Sequence, residues 1–165
     1  MLQAGLLENF FQFGYVTTDL EAAMAVYRER FDVPAFMILD GSVLKPGAQS
    51  TLRVALAWIG DTMVELIQPV GEPSPLYAEA LPKAGIRLHH LGYRVRDEGR
   101  WAGVLAAIAQ NDVPMVAMSA PGGSLECAYA DARAHLGHHL EFVWTKAGQP
   151  DYFAHVPRAP DRREA

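Results

Sequence analysis

One half of this chain repeats in the other, and that repetition limits the fold more than any other feature. From Phe11 the chain reads FQFGYVTTDLEAAMAVY, and from His89 it reads HHLGYRVRDEGRWAGVL. Set side by side, Gln12 falls opposite His90, Gly14-Tyr15 opposite Gly92-Tyr93, and Asp19 opposite Asp97. The halves also close alike, with WIGDTMVELIQP in the first and AHLGHHLEFVWT in the second. Gln12 and His90 are 78 residues apart and Glu65 and Glu141 are 76 apart, so one short loop difference accounts for the drift. That period is too long for a solenoid of small repeats, and two copies imply two like modules related by a pseudo-twofold axis.

Within each copy an apolar strand runs into an aspartate and then into an amphipathic helix. Asp19 reads as an N-cap, with Ala22, Ala23, Val26 and Tyr27 at helical spacing behind it. Asp97 precedes Trp101, Val104, Leu105 and Ile108 in the same way. Strands follow at FMIL and TLRVALAWI in the first copy, separated by the turn-rich DGSVLKPGAQS, and at VPMVAM and LECAYAD in the second, separated by SAPGG. The pattern is β-α-β-β-β twice: module 1 over about residues 8–70, module 2 over about 86–146, and a C-terminal extension 147–165, all within one 165-residue domain. The linker QPVGEPSPLYAEALPKAGI has room for one short helix from Leu76 to Leu81.

Composition excludes several classes. A formal charge of −5 argues against a general nucleic-acid binder, which needs a basic face. No run of about 18 apolar residues is present to span a bilayer, and the N-terminus lacks the features of a signal peptide. The single cysteine, Cys127, precludes an intrachain disulfide, reads as a small core residue, and makes the cytoplasm the expected compartment.

Four polar residues interrupt four apolar strands: Gln12, Glu65, His90 and Glu141. A glutamate inside MVELI or LEFVW is costly to bury unless paired or bound to a cation. Alternation along a strand puts Phe10, Gln12, Gly14 and Val16 on one face, and likewise Met63, Glu65 and Ile67. Leu88, His90, Gly92 and Arg94 share a face, as do His139, Glu141 and Val143. Any one of these residues alone is more often structural. The four at symmetry-equivalent positions would converge if the modules pair, offering three oxygens and one imidazole nitrogen. That donor set suits Zn, Ni, Co or Mn, with open positions for water or substrate.

At these residues the chain resembles the vicinal oxygen chelate superfamily of glyoxalases, bleomycin-resistance proteins and extradiol dioxygenases. The resemblance runs from about Phe10 to Trp144 and is carried by FQFGYVTTDLEAAMAVYRERF, MVELIQP, LHHLGYRVRD and LGHHLEFV. It implies an α+β fold of two tandem βαβββ modules, forming a curved sheet cup around one metal ion with helices on the outside. It places the ligands at Gln12, Glu65, His90 and Glu141, a set similar to that of one group of glyoxalase I enzymes. Extradiol dioxygenases resemble a set of two histidines and one carboxylate on Fe(II), so Gln12 makes iron the poorer fit. Methylmalonyl-CoA epimerases share ELIQP and LHH but carry a further catalytic glutamate on the preceding strand. Here GAQSTLRVAL offers none, unless Gln49 marks a displaced gap.

The resemblance implies a lyase or isomerase of glyoxalase type, lactoylglutathione lyase being the nearest model. Its chemistry is proton transfer beside a carbonyl through a metal-held enediolate, with Glu141 as base and Glu65 as ligand or opposite-face partner. A metal-poor binding module for small molecules and an extradiol-type dioxygenase are the competing readings. Arg94, two residues beyond His90, either holds an anionic substrate group or makes a surface salt bridge. His139 reads as pocket wall or extra acid–base group, and Trp58, Tyr129 and Trp144 as an aromatic wall or core. His89 faces away from His90 and reads as structural. The implied partner is a small-molecule substrate. A homodimer is expected from the family, with the C-terminal extension against the partner subunit and with module exchange between chains as one route.

Overall fold

The computed structural model describes residues 4–43, 51–110, 115–119 and 123–160. A 3-10 turn, Ala4–Leu7, leads into β1 (Phe10–Thr17), α1 (Leu20–Phe31), β2 (Met37–Val43), β3 (Thr51–Ile59) and β4 (Thr62–Val70). A single turn of helix, α2 (Pro75–Ala78), links this copy to β5 (Ile86–Val95), α3 (Glu98–Gln110), β6 (Met115–Ser119), β7 (Leu125–Ala130), the one-turn α4 (Arg133–Leu136) and β8 (His139–Thr145). The result is an α+β protein of two βαβββ modules, as the duplication implies. The stretches 44–50 and 120–122, where turns are expected, lie largely or wholly outside the described residues, as does Gln49.

The chain forms two compact units, divided within β1 and β5. One gathers the residues up to Phe11 with His90–Ala154, and the other gathers Gln12–His89 with the residues from His155. The strand order is β2-β3-β4-β1 in the first copy and β5-β8-β7-β6 in the second. In both, the first strand runs parallel to the last, and the other neighbours are antiparallel. That parallel pairing follows from the helix after the first strand, because a parallel pair needs a long crossover.

Helix α1 starts at Asp19, whose backbone is extended (φ −144°, ψ 99°) and whose carboxylate accepts the Ala22 N–H at 3.0 Å. Asp97 accepts the Arg100 N–H at 2.8 Å at the head of α3. Helix α1 buries Leu20, Ala23, Met24 and Tyr27, which pack with Val33, Ala55, Ala57, Val64 and Leu66. This corrects the expected stripe: Ala22 and Val26 face solvent, and the i, i+3, i+4, i+7 set begins at Leu20. In the other unit α3 buries Trp101, Val104 and Ile108 against Ala128, Ala130, Leu140, Phe142 and Trp144. Each helix thus covers one face of its own sheet, and the opposite face is left for the residues alternating with the core set.

The C-terminal extension packs within the chain. The Trp58 N–H donates to the Pro157 carbonyl and the Ala159 N–H to the Trp58 carbonyl, both at 2.8 Å. These bonds make a parallel bridge between Trp58 and Arg158. Pairing with β2 ends at Leu56, so the outer edge of Trp58 is open to receive it. Among the described residues, no helix is long and apolar enough to cross a membrane.

Candidate functional site

In the unit containing β5 and β8, register fixes which side chains share the face away from α3. His90 pairs with His139, Gly92 with Glu141, and Tyr129 with Glu141. His90, His139 and Glu141 are all buried on this face, at 0%, 4% and 6% exposure. His90 Nε2 lies 3.2 Å from Glu141 Oε2. Burial pushes the Glu141 carboxyl up, but the charge and hydrogen bond of His90 prevail and hold it below its ordinary value. The Tyr129 hydroxyl and the Cys127 thiol donate to the same carboxylate and act in the same direction. The Tyr129 ring stands edge-on to His90 at 5.2 Å, with an interplanar angle of 84°.

His139 lies beside this pair. Burial pushes its pKa down, which favours neutral imidazole, while Asp131 at 3.8 Å acts against that shift. Asp131 is itself gripped by Arg133 through Nε at 2.8 Å and Nη2 at 2.6 Å. Those bonds hold its carboxyl well below the usual carboxylate range, against a push upward from burial.

The other unit carries Gln12, Glu65 and Trp58. Gln12 pairs with Met63, Gly14 with Glu65, Leu56 with Glu65, and Trp58 with Met63, so these side chains share the face away from α1. Gln12 is 2% exposed, and its Oε1 has no hydrogen-bond partner among the described residues. A buried acceptor without a donor is costly, and an oxygen in that condition is suited to a cation. Both copies set a glycine against the glutamate, Gly14 against Glu65 and Gly92 against Glu141, so no side chain crowds either carboxylate from that strand.

The remaining expected site residues divide. Trp58 is buried, with the Arg158 guanidinium 4.8 Å from its ring centroid. Arg94 lies between the Phe11 and Phe153 rings, at 5.0 and 5.2 Å, and pairs with Asp151 at 3.2 Å. Trp144 is core, not wall: one residue from Glu141's face, it stacks on Trp101 at 5.9 Å and 21°. His89 is structural as expected, its Nε2 2.9 Å from the Leu76 carbonyl and its ring 4.9 Å from Tyr77. Sequence reasoning overlooked Asp131, Arg158 and the placement of Cys127 beside Glu141. For Cys127 a signal was present, because it lies two residues from Tyr129 and so shares its face.

Residues 11–129 match the model of the glyoxalase/bleomycin resistance protein/dioxygenase superfamily, and the chain belongs to that superfamily. Among solved structures, a hypothetical protein from Bacillus halodurans C-125 is similar, at 19% identity over 87% of this chain and 98% of that one, with a TM-score of 0.60. Methylmalonyl-CoA epimerase from Mycobacterium tuberculosis is similar at 19% identity over 88% of this chain and 93% of that one, TM-score 0.60. A Streptomyces coelicolor methylmalonyl-CoA epimerase variant in complex with 2-nitronate-propionyl-CoA is similar at 19% identity over 87% and 98%, TM-score 0.60. Identities this low establish a shared fold and nothing finer. No curated protein matches the chain.

Proposed function

We propose that this protein is a metal-dependent enzyme of proton transfer beside a carbonyl, a lyase or isomerase on a small oxygenated substrate. The observation that carries the reading is the buried His90–Glu141 pair at 3.2 Å on a face the fold does not need for its helix core. Breaking such a pair is expensive, and retaining one on an otherwise apolar strand needs a reason. In this reading Gln12, Glu65, His90 and Glu141 hold a divalent ion, and the unpartnered Gln12 Oε1 supports the fit. Zn, Ni, Co and Mn suit one nitrogen and three oxygens. Such an ion, when bound, supplies a Lewis acid that polarises carbonyl oxygen.

The chain's own residues do the rest. Glu141 Oε2 is the base that takes the proton from carbon, kept ionised by His90, Tyr129 and Cys127. Tyr129 fixes the His90 ring edge-on, and buried Leu125 and Val143 on the same face exclude water. Glu65 would serve as a ligand.

An epimerase is the second reading, favoured by the methylmalonyl-CoA epimerases among the fold's neighbours. An epimerase must handle a proton on both faces of one carbon, and β3 contributes only Leu52, Val54, Leu56 and Trp58 on the relevant face. Without a carboxylate there, one-sided proton transfer is the better match.

The test is divalent-ion analysis of the purified chain, joined to NMR measurement of deuterium exchange at the carbon beside the carbonyl. A glutathione hemithioacetal and methylmalonyl-CoA serve as the two substrates. Metal uptake with exchange on the hemithioacetal supports the lyase; exchange on methylmalonyl-CoA moves the assignment to the epimerase. A chain that takes up no divalent ion overturns both, and iron with oxygen consumption points to ring cleavage.

A further inference from the structure

Arg94 was expected either to hold an anionic substrate group or to make a surface salt bridge, and it pairs with Asp151 at 3.2 Å, flanked by two phenyl rings. A second guanidinium is differently placed. Arg158 sits on the C-terminal extension, bridged in parallel to Trp58, so the two side chains project from the same face. Its guanidinium lies over the Trp58 ring at 4.8 Å, and Nη1 donates to the Gly60 carbonyl at 2.9 Å. Among the described residues no carboxylate pairs with it, Asp61 of the adjacent turn included. Among the described residues, one of its five N–H donors is used. Gly60 takes the left-handed φ of +60° that turns β3 into β4 and aims its carbonyl at Arg158.

The location of this cation follows from register. Trp58 lies between Arg158 and Met63 in the sheet, and Glu65 stands two residues beyond Met63 on the same face, about 7 Å from Met63 at the ordinary rise per residue. An arginine stacked on an aromatic and tied to a backbone carbonyl is pre-organised, so little rotamer freedom is lost when its free edge takes a planar anion in two parallel bonds.

We infer that Arg158 is the anion anchor of the substrate site: it receives a carboxylate or phosphate carried by the substrate at the end remote from the reacting carbonyl. The inference deepens the proton-transfer reading and rests on it for the choice of face. The substrate class narrows accordingly to carbonyl compounds with a second, anionic end. Trp58, the expected aromatic wall, becomes the platform that fixes the anchor, and the C-terminal extension becomes part of the site.

The experiment is calorimetric titration of the full chain, stripped of metal with chelator, with malonate and with inorganic phosphate at low ionic strength. Binding of either anion is expected to weaken roughly tenfold or more in Arg158→Gln, because a charged hydrogen-bonding partner is lost. Arg158→Lys, which keeps the charge without the fork, should weaken it less. Tighter malonate binding assigns a carboxylate and tighter phosphate binding a phosphate ester. Anion binding should also shift tryptophan emission in the wild type and lose that shift in Trp58→Phe. Equal binding by wild type and Arg158→Gln overturns the inference, as does no binding of either anion, or loss on Arg94→Gln instead. Divalent-ion uptake is measured on the same preparations. Uptake that persists while anion binding ignores Arg158 sinks the anchor alone, and Arg158-dependent binding in a chain that takes up no metal sinks only the proton-transfer reading.

Discussion

His90 and Glu141 are 3.2 Å apart, fully enclosed, and each lies on a parallel strand of the same unit at the position its alternation predicts. Removing one member leaves the other buried without its counter-charge. Glu141→Gln is the mildest such change, since the amide keeps the shape and one acceptor. It should lower proton exchange by about 10²-fold or more, the usual worth of a positioned base. Circular dichroism and Tm should show a folded chain. Full activity in this variant would remove Glu141 from the chemistry.

Divalent ions should stabilise the native chain. A ligand that binds only the folded state at a hundred times its Kd adds about 2.7 kcal/mol, a rise of several degrees in Tm. Differential scanning fluorimetry with Zn, Ni, Co and Mn should show the rise, and chelator should reverse it. His90→Ala should abolish the response while Arg94→Gln keeps it. A Tm indifferent to every ion would show that the four polar residues hold no metal.

Trp144 tests how far strand parity can be trusted. It stands in the same strand as Glu141, but an odd number of residues away, and it stacks on Trp101 in the core beneath α3. Trp144→Ala should therefore cost about 3–5 kcal/mol in denaturant unfolding. Trp144→Phe should cost far less and leave ligand affinity unchanged. A change in affinity with little loss of stability would return Trp144 to the pocket.

Where the chain alternates or repeats, its fold is legible from residue order. Asp19 announces α1 because a carboxylate ahead of an apolar helical stripe has few other uses, and its carboxylate does accept the Ala22 N–H. His89 and His90 separate by strand parity alone. Val26 misleads because Ala22, Ala23, Val26 and Tyr27 fit helical spacing nearly as well as the set that begins at Leu20, and only packing against β3 and β4 decides between them. Arg94 could be assigned to a face but not to a partner, since Asp151 and Phe153 come from an extension without periodicity. Arg158 was illegible for the same reason: its bridge to Trp58 spans 100 residues and is made by backbone hydrogen bonds, which leave no trace in composition.

Acid should expose the Asp131–Arg133 pair. Hydrogen bonds from Arg133 hold the Asp131 carboxyl below its unfolded value of 3.8, outweighing the upward push of burial, and neighbouring His139 adds to the lowering. A carboxyl depressed in the folded state contributes stability that is fully present above the unfolded pKa and is lost as pH falls through the folded one. Arg133 is more than a third exposed, so solvent screening limits the contribution to about 1 kcal/mol or less. Arg133→Gln should therefore lower Tm by a few degrees at neutral pH, with the gap from wild type constant down to about pH 4 and closing below it. Thermal unfolding of both proteins across that range is the measurement. A gap that stays open in strong acid would assign the effect of Arg133 to packing and not to the charge of Asp131.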